Sequence, residues 1–256
     1  MPKPRNYQTE AIIIKKTKLG EADTILTLYT PNLGKIQGFA KSLRKTKSKM
    51  AGHLELLTHS QISLVRGRNI DTITGAQTID SFLPLKSDLE LSSAALYATE
   101  LVNQFAAEDV EDYPIFQLLL ATLKRLSQRE NSDLVLRYFE LQLLGLVGYR
   151  PQLEQCVACH TPLKESGNFF CPGAGGIVCA DCRPTQPFSY PLSLETQQAL
   201  RRLQDSDYEA VSGTVLTPEL SHQLRVIIRN YIRYLLERDV KSAAWLDSLK
   251  AQGNLT

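Results

Sequence analysis

The sequence predicts an α+β protein: an N-terminal five-stranded OB-fold-like β-barrel, followed by an α-helical domain with an inserted four-cysteine zinc module. Three observations predict it. The first eighty residues run as short β-branched stretches separated by turn residues. From Ser92 onward the apolar residues recur at helical spacing. Two CxxC pairs, Cys156-Val157-Ala158-Cys159 and Cys179-Ala180-Asp181-Cys182, stand nineteen residues apart within the helical part, the spacing of a four-thiolate metal site. A chain of 256 residues can bury a sizeable core and divide into two or more units. The expected divisions are 1–80 for a basic barrel, 81–150 and 191–256 for two parts of one helical domain, and 151–190 for the zinc module between them.

The barrel strands read in order. Glu10 to Lys16 contains Ala11-Ile12-Ile13-Ile14, a β-branched run. Thr24 to Thr30 alternates apolar and polar with a period near two. Pro31-Asn32-Leu33-Gly34 is a turn, because Pro presets φ and Gly accepts φ > 0. Lys35 to Ala40 returns as a third strand. Gln61 to Arg66 and Ile70 to Thr74 give a fourth and fifth, joined by Gly67-Arg68-Asn69. Five short strands suit an OB-fold, the small barrel used for single-stranded nucleic acid; an SH3-like barrel also fits the pattern.

Charge is uneven along the chain. Residues 1–80 hold thirteen Lys or Arg against six Asp or Glu, a net of +7, and the rest holds sixteen against twenty-one, a net of −5. This points to a polyanion-binding end on a near-neutral or acidic body. Between the third and fourth strands, Lys41 to Lys49 has five basic residues in nine and no acidic one. Such a run neutralises phosphates and releases condensed counterions. The candidate nucleic-acid contacts are Lys35, Lys41, Arg44, Lys45, Lys47, Lys49, Arg66 and Arg68. Phe39 and Tyr29 are read as core residues ahead of stacking platforms. An acidic protein tail is a competing occupant of the run. An anionic membrane is disfavoured, because no amphipathic anchor or lipidation motif accompanies it, and no apolar stretch approaches the about eighteen residues of a membrane span.

The helices follow. Leu96, Leu101 and Phe105 share one apolar face, Ile115 to Leu126 continues the pattern, and Leu134 to Val147 is apolar nearly all round, which marks a central buried helix. It stops at Gly148-Tyr149-Arg150-Pro151. Beyond the cysteines, Ser193 and Thr217-Pro218 open two more helices as caps. In the second, Arg225, Arg229 and Arg233 recur every four residues; an exposed charged face is the plain reading, and Arg225 and Arg229 are the candidates for a partner contact. Ser242 to Leu249 forms a last helix, with Trp245 and Leu246 expected to pack inward.

The cysteine chemistry follows from the spacing. A two-residue spacer lets one tight turn aim two thiolates at one ion, and two turns complete a tetrahedron with Zn–S distances of about 2.3 Å. A closed shell of Cys156, Cys159, Cys179 and Cys182 leaves no position for water, so one structural Zn2+ is expected. Disulfides need an oxidising compartment, whereas Met1-Pro2-Lys3-Pro4-Arg5 lacks the apolar core of a secretion signal; a cytoplasmic chain with reduced thiols is expected. A thioredoxin-like pair needs a βαβ pattern that is not visible. Cys171 is read as a bystander on a hairpin bridging the knuckles, and His160 as structural, although either can replace a ligand.

No GxSxG, Walker A, HExxH or GxGxxG string occurs, which disfavours an enzyme; a zinc-braced nucleic-acid-processing enzyme and a protein–protein adaptor with a basic loop remain the alternatives. The order of parts resembles the bacterial recombination mediator RecO family. Ala11 to Ile14 through Gly20-Glu21-Ala22-Asp23 is similar to its opening strand and turn, Gly38-Phe39-Ala40-Lys41 with Lys47-Ser48-Lys49 to its basic segment, and Leu144 to Pro151 to the lead into its zinc knuckle. Phe169-Phe170 through Cys179 looks like its hairpin, and Lys241-Ser242 with Leu246 like its C-terminal motif. The resemblance implies a non-enzymatic protein that binds single- and double-stranded DNA, anneals strands and helps load RecA onto DNA covered by single-strand-binding protein. It also implies two partners, RecR and the acidic C-terminal tail of single-strand-binding protein.

Overall fold

The computed structural model describes residues 4–186 and 188–253, with the side chains of 249–253 left aside. By internal contacts the chain divides into two compact units, residues 1–130 with 244–256, and residues 131–243.

The first unit is built on a closed barrel of β1 (Asn6–Leu19), β2 (Asp23–Thr30), β3 (Gly34–Ala40), β4 (His59–Val65) and β5 (Asp71–Asp80), in the order β1-β2-β3-β5-β4. Closure comes from a short parallel pairing of β3 with β5, at Gly38 with Asp71 and Phe39 with Thr72, and from β4 returning to β1. This is the five-stranded OB-like barrel. Its core is the alternating inward set Ala11, Ile13, Leu26, Leu28, Ile36, Ile62, Leu64 and Ile73. Tyr29 is fully buried and Phe39 half-buried.

β1 is longer than the isoleucine run suggests. Its first half pairs with β4 and its second half with β2, with a bulge between Ile13 and Lys15 where it changes partner. Lys15, Lys16, Thr17 and Lys18 are all exposed, so that half shows no alternation from which a strand can be read.

Three helices complete this unit: α1 (Leu83–Ser87), α2 (Leu89–Phe105) and α3 (Tyr113–Ser127). Asp88 caps α2 by accepting from the backbone N–H groups of Glu90 and Leu91, and Asp112 caps α3 through Ile115. The buried face of α2 centres on Leu91, Ala94, Ala95, Ala98, Leu101 and Val102, with Leu96 and Phe105 at its margins.

The second unit holds α4 (Ser132–Leu146), the cysteine module, α5 (Leu194–Asp205), α6 (Tyr208–Val211) and α7 (Pro218–Leu236). Every residue from Leu134 to Leu141 is buried. Two of them are charged: Arg137 and Glu140 are 0% exposed and lie 3.0 Å apart, Nη2 to Oε1. Ser193 and Thr217 cap α5 and α7. The last helix, α8 (Lys241–Gly253), buries Leu246 but leaves Trp245 40% exposed, which corrects the inward placement expected for the tryptophan. Among the described residues, no helix is long and apolar enough to cross a membrane.

Candidate functional site

The basic run leaves the barrel at the end of β3 and is docked by backbone bonds. The Ser42 N–H donates to Asp23 Oδ1 at 2.6 Å, the Arg44 N–H donates to Ala22 O at 3.0 Å, and the Arg44 guanidinium bonds Gly20 O. The run therefore lies on the β1–β2 turn. Leu43 turns into the core, while Lys41, Arg44, Lys45, Lys47 and Lys49 are exposed. Among the described residues, none of these five has an acidic partner in an ion pair. The register adds a cation that the sequence did not single out. Lys18 opposes Thr24, and Thr24 opposes Ala40, the residue before Lys41, so Lys18 sits at the same end of the barrel.

Arg66 and Arg68 lie on the β4–β5 hairpin, beside the first half of β3. Asp71 organises that hairpin. Its carboxylate accepts from the Tyr7 hydroxyl at 2.6 Å and the Gly67 N–H at 3.0 Å, and lies 3.6 Å from Arg66. Arg66 also stacks over the Tyr7 ring, 4.6 Å from its centroid. Burial and the bond to Asp71 push the Tyr7 phenol well above its usual range. Arg68 is exposed.

Lys35 faces the other way. It is buried, and its Nζ donates to Asn103 O at 2.9 Å. Burial lowers its pKa, opposed by the nearby Glu108. Its charge fastens the last turn of α2 to the barrel, while its backbone carbonyl accepts from the Asp109 N–H of the strap that follows, residues 106–112, so it is not part of the exposed cationic surface. The strap lies over Lys35, about seventy residues distant in sequence, which is why β3 alone does not reveal the burial.

The cysteine module is a small three-stranded sheet, β7-β6-β8, of β6 (Asn168–Cys171), β7 (Gly176–Val178) and β8 (Tyr190–Leu192). The first knuckle is closed by the His160 N–H donating to Cys156 O at 2.9 Å, and the second by the Arg183 N–H donating to Cys179 O at 3.0 Å. Backbone contact ties the first knuckle to β7 so closely that a Cβ on Gly176 would lie 2.3 Å from Gln152 O. The sulfurs of Cys156, Cys159, Cys179 and Cys182 all fall within 4.8 Å of one another, with Cys159 and Cys179 at 3.8 Å. Four sulfurs about 2.3 Å from one tetrahedral ion are about 3.8 Å apart, so the donor set fits a metal ion.

The thiol electrostatics agree. Burial pushes the Cys156 thiol up, but N–H donors from Cys159, Cys179 and Ala158 outweigh it and bring the group down to about 6. Cys182, whose S–H donates to the Cys159 and Cys179 sulfurs, is pushed up to about 12. Four crowded thiols resist full ionisation, and a dication relieves that. Cys171 is buried beside Cys156 but lies outside the four-sulfur cluster, with its Sγ 3.6 Å from Gln186 Oε1. His160 is exposed, at φ 59°. The module is anchored within its unit by Arg201, which donates to Leu153 O at 2.8 and 2.6 Å, and by Phe170, edge-on to Tyr231 at 5.4 Å.

On α7, Arg225 and Arg229 are half-buried and Arg233 is exposed. Arg225 lies 3.3 Å from His222 Nδ1, and Arg233 donates to Asn230 Oδ1 at 2.6 Å.

A family model described as recombination protein O, N terminal, matches residues 3–82, and one described as recombination protein O, C terminal, matches residues 86–244. The chain is 48% identical over 250 residues to a protein of Dehalococcoides mccartyi (strain CBDB1) named DNA repair protein RecO, with 98% of each chain covered. A protein of the same name from Roseiflexus sp. (strain RS-1) is 41% identical over 246 residues, covering 96% of this chain and 87% of that one. Another, from Desulforamulus reducens, is 32% identical over 243 residues, covering 95% and 94%.

Proposed function

The chain belongs to the recombination protein O family of DNA repair proteins, and on that premise we propose that it is a non-enzymatic DNA-binding mediator. It binds single- and double-stranded DNA, anneals complementary strands, and helps load RecA onto single strands covered by single-strand-binding protein. It works in the bacterial cytoplasm, at the nucleoid, with RecR and the acidic tail of single-strand-binding protein as partners. The observation that carries this reading is the run Lys41–Lys49, which holds five exposed cations without an acidic ion-pair partner among the described residues, on the edge of an OB-like barrel. Cations in that state lower the repulsion between two phosphate backbones, which is the barrier to pairing separate strands, and they release counterions as they do so.

Arg66 and Arg68 extend the surface along β3. Arg225 and Arg229 on α7 are the proposed contacts for an acidic partner segment. Cys156, Cys159, Cys179 and Cys182 would hold one Zn2+, which supplies a cross-link and no catalytic position.

The test is annealing of complementary strands, bare and coated with single-strand-binding protein. Wild type should accelerate both. Lys45→Ala/Lys47→Ala/Lys49→Ala, which removes exposed side chains that take part in no ion pair among the described residues, should slow both by about tenfold or more, because three phosphate-neutralising cations and their counterion release are lost. Unchanged annealing by that variant would refute the assignment, and metal-dependent cleavage of either strand would favour an enzyme.

A further inference from the structure

β3 and β5 pair only near Gly38 and Phe39. Toward the start of β3 the two diverge, and a cleft of about 740 Å3 opens between β3, the β4–β5 hairpin and the strap that follows α2. Its walls carry opposite charge. Arg66, stacked on Tyr7 and 3.6 Å from Asp71, and Arg68 form one side, and Glu108, Asp109 and Glu111 form another, with the buried Lys35 beside Glu108. The three acids are exposed, and among the described residues neither they nor Arg68 take part in an ion pair.

The acidic wall is fixed. The Asp109 N–H donates to Lys35 O at 3.0 Å, and Lys35 Nζ donates to Asn103 O in the last turn of α2, from which the strap departs. The strap lies so close to β3 that a Cβ on Gly34, at φ +62°, would fall 1.8 Å from Val110 O. Asp109 itself sits at φ 56°, a left-handed conformation that Asp and Asn tolerate better than most residues. A strap held in this way does not swing aside for a ligand, so whatever enters meets both walls together.

We propose that this cleft seats one DNA strand and rejects a duplex, with phosphates toward Arg66 and Arg68 and base edges toward Glu108, Asp109 and Glu111. The proposal rests on the DNA-binding reading above and deepens it. Size argues for one strand. The cleft is in the range of small-ligand pockets, room for a few nucleotides of one strand and not for two paired strands wound about each other. Charge argues the same way. A duplex presents phosphates on every outward side, so one edge of it always faces the carboxylates. A single strand has phosphates on one edge and unpaired bases on the other, and carboxylates accept hydrogen bonds from base amino groups. The Tyr7–Arg66 stack adds a flat surface for a base. The acidic strap thus sets strand selectivity, while the Lys41–Lys49 run, whose five cations have no acidic ion-pair partner among the described residues, takes either form.

The test measures Kd for a labelled single strand and for a duplex of the same length, using full-length protein. In Glu108→Gln/Asp109→Asn/Glu111→Gln, duplex affinity should rise about three- to tenfold while single-strand affinity changes less than twofold. Asn suits the backbone at position 109, and the bonds that pin the strap are untouched. Arg68→Ala should weaken the single strand more than the duplex. Equal tightening of both forms would show that the acids act only through net charge and would overturn the proposal, as would unchanged affinities. Failure of the DNA-binding reading itself is distinguishable, because Lys45→Ala/Lys47→Ala/Lys49→Ala would then bind both forms like wild type.

Discussion

The barrel and the cysteine module are both small β-structures, yet they hold themselves together differently. β1 runs fourteen residues and is laddered on both edges, and the barrel closes on a continuous apolar core. The module has strands of four, three and three residues, too short to be stable by themselves. Its centre is sulfur, with Cys156, Cys171 and Val178 as the buried cluster. Closed pairing lets the barrel place unpaired charge on its loops at little cost in stability. The four cysteines of the module form a donor set that fits a metal ion, and on the proposed function the barrel carries the DNA contacts while the metal stiffens the rest.

The sharpest way to break this comparison is to remove the metal ligand set. Cys156→Ser, or treatment with a strong zinc chelator, should abolish about one equivalent of bound metal and lower the unfolding temperature of the unit spanning residues 131–243, because structural zinc binding is folding free energy. The barrel should keep its transition and its DNA affinity. Elemental analysis with calorimetry reads this out. Full metal retention by the variant would show that the ligand set is wrong.

A second difference concerns buried charge. The barrel core is apolar, whereas α4 buries the Arg137–Glu140 pair completely. Arg137→Met should destabilise its unit by about 3–5 kcal/mol, since it strips a buried carboxylate of its cation. Arg137→Met/Glu140→Leu should recover most of that loss in denaturant unfolding. Additive losses in the double variant would show that the pair acts through other contacts.

Much of this architecture was legible in the sequence because the relevant signals are local. Period-two alternation marked β2 and the CxxC turns marked the knuckles. Ser193 and Thr217 marked the starts of α5 and α7, because a cap acts through the adjacent backbone. What escaped depends on distant partners or on broken rules. Lys15 to Lys18 are exposed on both faces of β1 and so carry no pattern. β8 contains Pro191, which argues against a strand; it is accommodated because β8 lies at the sheet edge. Lys35 resembles its neighbours in the basic segment, and its burial comes from the end of α2 and the strap beyond it. Arg137 and Glu140 stand three residues apart on a helix, a spacing that ordinarily means a surface pair. The opposed walls of the cleft join residues about forty apart in sequence, with no motif to announce them.

The smallest effect in energy bears most directly on function. The salt dependence of single-strand binding should be measured for wild type and Lys45→Ala/Lys47→Ala/Lys49→Ala. Each phosphate contact contributes about −0.7 to the slope of log affinity against log salt for single strands. Removing three contacts should therefore weaken binding and flatten the slope by about 2, with thermal stability unchanged. An identical affinity and slope in the variant would contradict the account, placing DNA somewhere other than the basic edge of the barrel.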